Sequence, residues 1–382
     1  MKKNLLLSAF VFSAVFSFSQ PASRQSIEDS VIGWMKVYHF KGVKESKNVD
    51  DKLYSAAQLS LCDSFANWMQ ASYLPKGGLG DVKKAVSEKL GLYNQHTAAR
   101  PQSYGAYSKT YFELKYNSSH KLEPQTNSHI YWGVFANQVP GDWPVRDLCT
   151  QTQYYFTIPT SETEEDDESI QKVLDLSDVL NIKPYITFWV KNMGFGGGAE
   201  NVLLCKDNKS PFIKITKGEY LEALQEAMPR IYAAEKKKIF EQNQGNQKSI
   251  DYFMTYLDDK NTRRLASLKN NQEKYKDRLF ETAEVFDPQP NMMIEQTPDI
   301  FEGNEYQTRK YPVYKIDPEM AAHCKTDKPQ WILISWDYYP GDAIQQQQHE
   351  AITTNFNFEY VYNFFFDPEK VKNQTYKPLH SP

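Results

Sequence analysis

The chain has 382 residues, a formal charge of −4, 40% apolar residues and 14% aromatic residues, a length that suits two domains or one large one. The negative balance argues against nucleic acid and against an anionic membrane surface, because both need clustered positive charge. Beyond residue 20, no stretch approaches the roughly 18 consecutive apolar residues of a membrane span.

Residues 1–19 read as a signal peptide. Lys2 and Lys3 form a positive head, and Leu5 to Phe16 is apolar except for Ser8 and Ser13. Ser17-Phe18-Ser19 has the small-x-small pattern of a cleavage site, with Gln20 as the mature start. No cysteine sits at the cleavage point, so a lipid anchor is not indicated. Cleavage removes two lysines and no acids, which takes the charge from −4 to −6. The expectation is an exported protein, periplasmic or secreted.

Ser26 and Asp29 resemble a capping box opening a short helix through Trp34. Tyr54, Ala57, Leu61, Phe65 and Trp68 recur at three and four residues and predict a stronger helix with one buried face. Lys76 to Gly80 reads as a tight turn between helices, and Asp81 as the cap of a third helix ending at Gly91.

After residue 105 the period changes to two. Thr110, Phe112, Leu114 and Tyr116 alternate with Tyr111, Glu113 and Lys115. Further strands are expected over 129–136, 153–158, 185–191, 202–205 and 212–215, each rich in aromatic or β-branched residues. Gly194 to Gly198 and Lys206 to Pro211 read as hairpin tips, and the short connections favour antiparallel pairing. The run Glu162 to Glu168 contains six acids and reads as a solvated linker.

Thr216 and Glu219 form a capping box for a helix along Tyr220, Leu221, Leu224 and Met228, with Pro229 expected to kink or restart it. From about 249 to 286 a thin stripe of Ile250, Phe253, Leu257, Leu265, Leu268, Tyr275 and Leu279 predicts a helix wet on most sides. The last 80 or so residues return to strands: Trp331 to Trp336 is a continuous apolar run, and Phe356 to Phe366 shows aromatic alternation. Asp367-Pro368 then caps a short helix.

The predicted fold is α+β: N-terminal helices, an antiparallel sheet of about six strands, a helical hairpin or arm, and a strand-rich C-terminal segment packed on the rest. The expected boundaries are a signal peptide at 1–19, an α+β domain at 20–243, a helical arm and loop at 244–300, and the C-terminal segment at 301–382.

No catalytic motif survives inspection. His349-Glu350 begins like HExxH but lacks the second histidine, in what reads as a polar loop after Gln345 to Gln348. No metal site and no cofactor are expected. Cys62, Cys149, Cys205 and Cys324 are far apart, with no CxxC. Cys62 reads as a buried thiol, and Cys149 with Cys205 is the disulfide to test first. The best recognition surface is Gly141 to Asp147, where Trp143, Asp142 and Arg146 sit on a proline-stiffened connection beside Trp132 and suit a sugar ring and its hydroxyls. The loop Asp337 to Asp342 is a second candidate. The functional expectation is a non-catalytic binding or structural protein with a glycan or protein partner outside the cytoplasm. The alternative is an extracytoplasmic hydrolase acting on glycans or peptides, and a further reading gives the 249–286 helix a partner-binding role.

Overall fold

A computed structural model describes residues 22–39, 41–49, 52–86, 99–141, 143–145, 148–150, 152–158, 176, 179–191, 198–286, 299–302, 310–339 and 341–382. The expected signal peptide at 1–19, the acidic run at 162–168 and most of the glycine run at 194–198 lie outside these residues. In chain order the elements are α1 (Arg24–Ile27), β1 (Lys47–Val49), β2 (Lys52–Tyr54), α2 (Ala56–Ser72), β3 (Leu79–Val86), β4 (Tyr104–Tyr111), β5 (Leu114–Tyr116), β6 (Leu122–Pro124), β7 (His129–Ala136), β8 (Trp143–Pro144), β9 (Tyr155–Thr157), β10 (Ile186–Lys191), β11 (Gly198–Cys205) and β12 (Phe212–Lys214). Then follow α3 (Lys217–Gln242), α4 (Gln247–Lys274), β13 (Glu284–Val285), β14 (Tyr311–Ile316), α5 (Pro318–His323), β15 (Trp331–Tyr338), α6 (Ala343–Asn355) and α7 (Phe358–Phe366).

The fold is α+β around a six-stranded antiparallel sheet of order β10-β11-β15-β7-β4-β3. Its faces alternate residue by residue. One face carries Val134, Ala136, Val202, Leu204, Ile332 and Ile334 and is covered by Phe65 and Met69 of α2, Ile352 of α6 and Val361 of α7. On the other face the β10–β11–β15 half meets the smaller sheet. Val190, Leu203, Cys205 and Leu333 pack there with Phe156, Val313 and Leu224 of α3. The smaller sheet has the order β12-β14-β9-β8, with β13 also on β14.

Helix α2 opens on the Ser55–Gln58 capping box. Phe65 and Trp68 are buried as the stripe predicts, while Leu61 is only half-buried. Helices α3 and α4 form the expected hairpin, joined by a short turn at 243–246. Pro229 lies inside an uninterrupted α3 and does not restart it. Ile250, Leu257, Arg264 and Asn271 repeat every seven residues and are buried. Arg264 has no exposed surface; its guanidinium donates to both carboxylate oxygens of Glu235 on α3, at 2.6 and 3.1 Å.

Five expectations are corrected. Residues 79–86 are a strand, not part of a helix: Asp81 pairs across with Lys109, and a Cβ at Gly80 would lie 2.5 Å from the Trp34 ring. The glycine is there for close approach, not for a turn between helices. The aromatic alternation at 356–366 is helical. Asn357 accepts the Tyr360 N–H as an N-cap, and aromatics on several sides of α7 are served by Trp68, which touches Tyr360, Phe364 and Phe365. Residues 343–355 are helix α6, capped by Asp342, and not a polar loop. Lys206 to Pro211 carries the chain from the large sheet to the small one, so it is no hairpin tip. All four cysteines are buried free thiols. Cys149 and Cys205 share one apolar core without a disulfide.

Candidate functional site

The predicted recognition residues are not assembled into one site. Asp142 and Arg146 lie outside the described residues. The backbone of Trp143 pairs with Thr157 in the smaller sheet. Trp132 is on β7 of the large sheet, fully buried, edge-on to Tyr73 and Phe356. It is a core residue, reached only by opening the helical layer.

The unusual surface is the β7–β4–β3 half of the opposite sheet face. Residues directly across a sheet share a face. The register therefore places Asp81, Lys109 and Tyr131 in one row, Lys83, Tyr107, Gly133 and Ser335 in the next, and Ala85, Gly105, Phe135 and Leu333 in the third. Tyr107 stacks on Tyr131 with centroids 5.5 Å apart and planes at 24°, and Tyr131 on Phe135 at 6.4 Å and 10°. Tyr107 and Tyr131 stand outside the apolar core clusters and are half-buried, whereas Phe135 is buried.

Two glycines make the stack. A Cβ on Gly133 would lie 2.1 Å from Cε2 of Phe135, and one on Gly105 would lie 2.7 Å from Cδ1 of the same ring. The ring thus lies flat over bare backbone, where a side chain would have lifted it. Tyr107, Tyr131, Lys109 and Ser335 are half-buried and Lys83 is exposed. The face offers flat rings with ammonium, hydroxyl and carboxyl groups beside them.

Asp337, from the second predicted loop, lies at the end of β15 beside this row. Its Oδ2 accepts the Tyr131 backbone N–H at 2.8 Å. Burial lifts its carboxyl to about 6, against the partial opposition of that hydrogen bond.

On the other face a second carboxyl is buried. Glu200 of β11 is opposite Trp189 and Trp336 in the register and is 1% exposed. His349 Nδ1 of α6 is 2.9 Å from its Oε2, and the His349 ring stacks on Tyr338 at 4.2 Å. Burial pushes the Glu200 carboxyl up, and hydrogen bonds from His349 and Trp336 pull it part of the way back. The incomplete HExxH thus becomes a helix residue taken up by a buried acid. Among the described residues no group of His, Cys, Asp or Glu side chains gathers to hold a metal ion. Among them, too, no helix is long and apolar enough to cross a membrane.

Sequence reasoning located β7, but it ran one strand over 110–116 where β4 ends at Tyr111 and β5 begins at Leu114, and it missed the aromatic face of β4 and β7. The available signal was glycine inside a strand, at 105 and 133, which marks close approach to backbone. No protein-family profile, curated protein or solved structure matches this chain.

Proposed function

We propose that this is an exported, non-catalytic binding protein whose β3–β4–β7 face takes a glycan. The observation that carries the reading is the pair of near-parallel, half-buried rings Tyr107 and Tyr131, backed by the buried Phe135 ring, on the sheet half away from the second sheet. A pyranose presents a C–H-rich face that packs on a ring and a rim of hydroxyls. Here the rim would meet Lys83, Lys109 and Ser335. Function concentrates where polar and aromatic groups stand on a rigid scaffold outside the core. The leader at 1–19 supports export.

The hydrolase reading requires two converging carboxyls. Asp337 and Glu200, the two that burial lifts most clearly above the ordinary carboxylate range, lie on opposite faces of the sheet, so binding is the better reading. The test is a glycan array followed by calorimetry with cellohexaose and chitohexaose, comparing the parent with Tyr131→Ala and Tyr107→Ala. Binding that both substitutions weaken at least tenfold is expected. An array blank with the parent, or equal binding by the variants, would overturn the reading. Amino-terminal sequencing of the fractionated protein tests export, with Gln20 as the expected first residue.

A further inference from the structure

Strand β7 starts at His129, but its pairing with β15 covers only 132–136. Tyr131 therefore stands one residue beyond the last paired position, with its N–H and C=O facing the place where β15 peels away. Unpaired backbone groups in a sheet interior are costly. Two side chains take the place of the missing strand. Asp337 accepts the Tyr131 N–H at 2.8 Å, and Gln348 Nε2 of α6 donates to the Tyr131 carbonyl at 3.1 Å. Gln348 has no exposed surface, and its Oε1 accepts the Thr110 hydroxyl of β4 at 3.4 Å. An amide with both ends engaged is fixed in orientation.

Resting on the glycan-binding reading, we propose that Asp337 and Gln348 are positioning residues that hold the Tyr131 ring through its backbone, and that ring placement and binding at this face are therefore proton-linked. Neither residue needs to touch the sugar. An ionised Asp337 makes a charge-assisted bond to the Tyr131 amide, about twice as strong as the bond a neutral carboxyl makes. Among the described residues no charged side chain is among the influences on Asp337, whose carboxyl responds to burial and to the Tyr131 amide. The register puts Lys109 and Tyr107 of β4 on its face, while Asp81 and Lys83 of β3 pair with each other at 3.0 Å. Glu200 of β11 and His349 of α6 are engaged with each other on the opposite face. Glu350 of α6 acts on Tyr338 and not on Asp337.

Acidification then has opposite effects on two observables. Protonating Asp337 removes a buried charge and stabilises the fold, yet it loosens the Tyr131 clamp and weakens binding. A merely structural carboxyl would move stability alone. The experiment labels the protein with ¹⁵N-tyrosine, assigns the Tyr131 amide by its loss in Tyr131→Phe, and follows it from pH 4.5 to 7.5. The Tyr131 amide proton should titrate in the parent and be flat in Asp337→Asn. Gln348→Met keeps the bulk, should keep the titration, and should displace the resonance. A Tyr131 amide that is flat in the parent, or that titrates equally in Asp337→Asn, overturns the clamp. Calorimetry with the hexasaccharide that binds the parent gives the second readout. Affinity should fall roughly three- to tenfold from pH 7.5 to 4.5, with no such fall in Asp337→Asn. Unchanged affinity with a titrating amide would overturn the link to binding. If no hexasaccharide binds, the glycan reading fails while the amide titration still decides the clamp.

Discussion

The flat seating of Phe135 on Gly133 can be tested by a double-mutant cycle. Gly133→Ala places a Cβ 2.1 Å from Cε2 and 2.6 Å from Cζ of the Phe135 ring, so the ring must lift or the strand must shift. Forced repacking of this kind costs about 1–3 kcal/mol. Phe135 is 5% exposed, and its truncation to alanine should cost about 3–5 kcal/mol. With the ring gone, the clash at residue 133 is gone too. Alanine is then about 0.5–1 kcal/mol better than glycine within a strand. Gly133→Ala should thus change from destabilising to neutral or stabilising in the Phe135→Ala background, a coupling of about 2 kcal/mol or more. Urea unfolding of the parent, both single variants and the double variant, followed by tryptophan fluorescence, measures it. Costs that add to within about 0.5 kcal/mol would mean the ring does not depend on the bare backbone. The account of the aromatic face would then fall.

Asp337 gives a pH prediction of definite sign. Its folded value of about 6 lies above 3.8, so its stabilising contribution is complete below about 4 and is lost as pH rises through 6. Asp337→Asn should match the parent near pH 4 and exceed it at pH 8 by up to about 3 kcal/mol in urea unfolding; a variant less stable than the parent at pH 8 refutes this. In the arm, Arg264→Ala leaves Glu235 only its Lys260 partner and should cost about 1.5–3 kcal/mol, whereas Arg264→Met with Glu235→Leu should come out near neutral. Equal losses in both would point to packing, not charge. The four thiols are buried, and burial raises Cys62, Cys205 and Cys324 to about 12. A thiolate reagent should therefore leave the native protein unlabelled and titrate all four in urea; rapid native labelling, or fewer than four in urea, contradicts the free-thiol state.

Much of the architecture was legible wherever one periodic signal stood alone. The 129–136 strand matches β7 at both ends because Gly, Pro and Asn bound an apolar run. Competing local signals defeated the reading elsewhere. In 356–366 consecutive aromatics satisfy periods of two and of 3.6 together, and the Asn357 cap, easily overlooked beside them, decides for helix. At Asp81 an acid after a glycine-rich segment resembled a cap, yet sheet pairing with β4 over the whole strand overrides that local preference. The aromatic face was hidden for a different reason. Tyr107 and Tyr131 meet only through strand register, and register is set by long-range pairing.

The order of strands in the two sheets bears on when the chain can fold. β15 lies between β11 and β7, and β14 lies between β12 and β9, so both sheets take an interior strand from the last quarter of the sequence. Until residue 338 has emerged, the large sheet is split into β10–β11 and β3–β4–β7, each with an open edge, and of the helices on its apolar face only α2 precedes both. Closure then depends on contacts between residues about 200 apart, such as Trp132 with Trp336, and such non-local topologies fold slowly. Sheets built in this way close only when synthesis is nearly complete. Under the proposed export, that delay would keep the chain passable through a narrow channel, and the last strands to arrive would lock the fold on the far side.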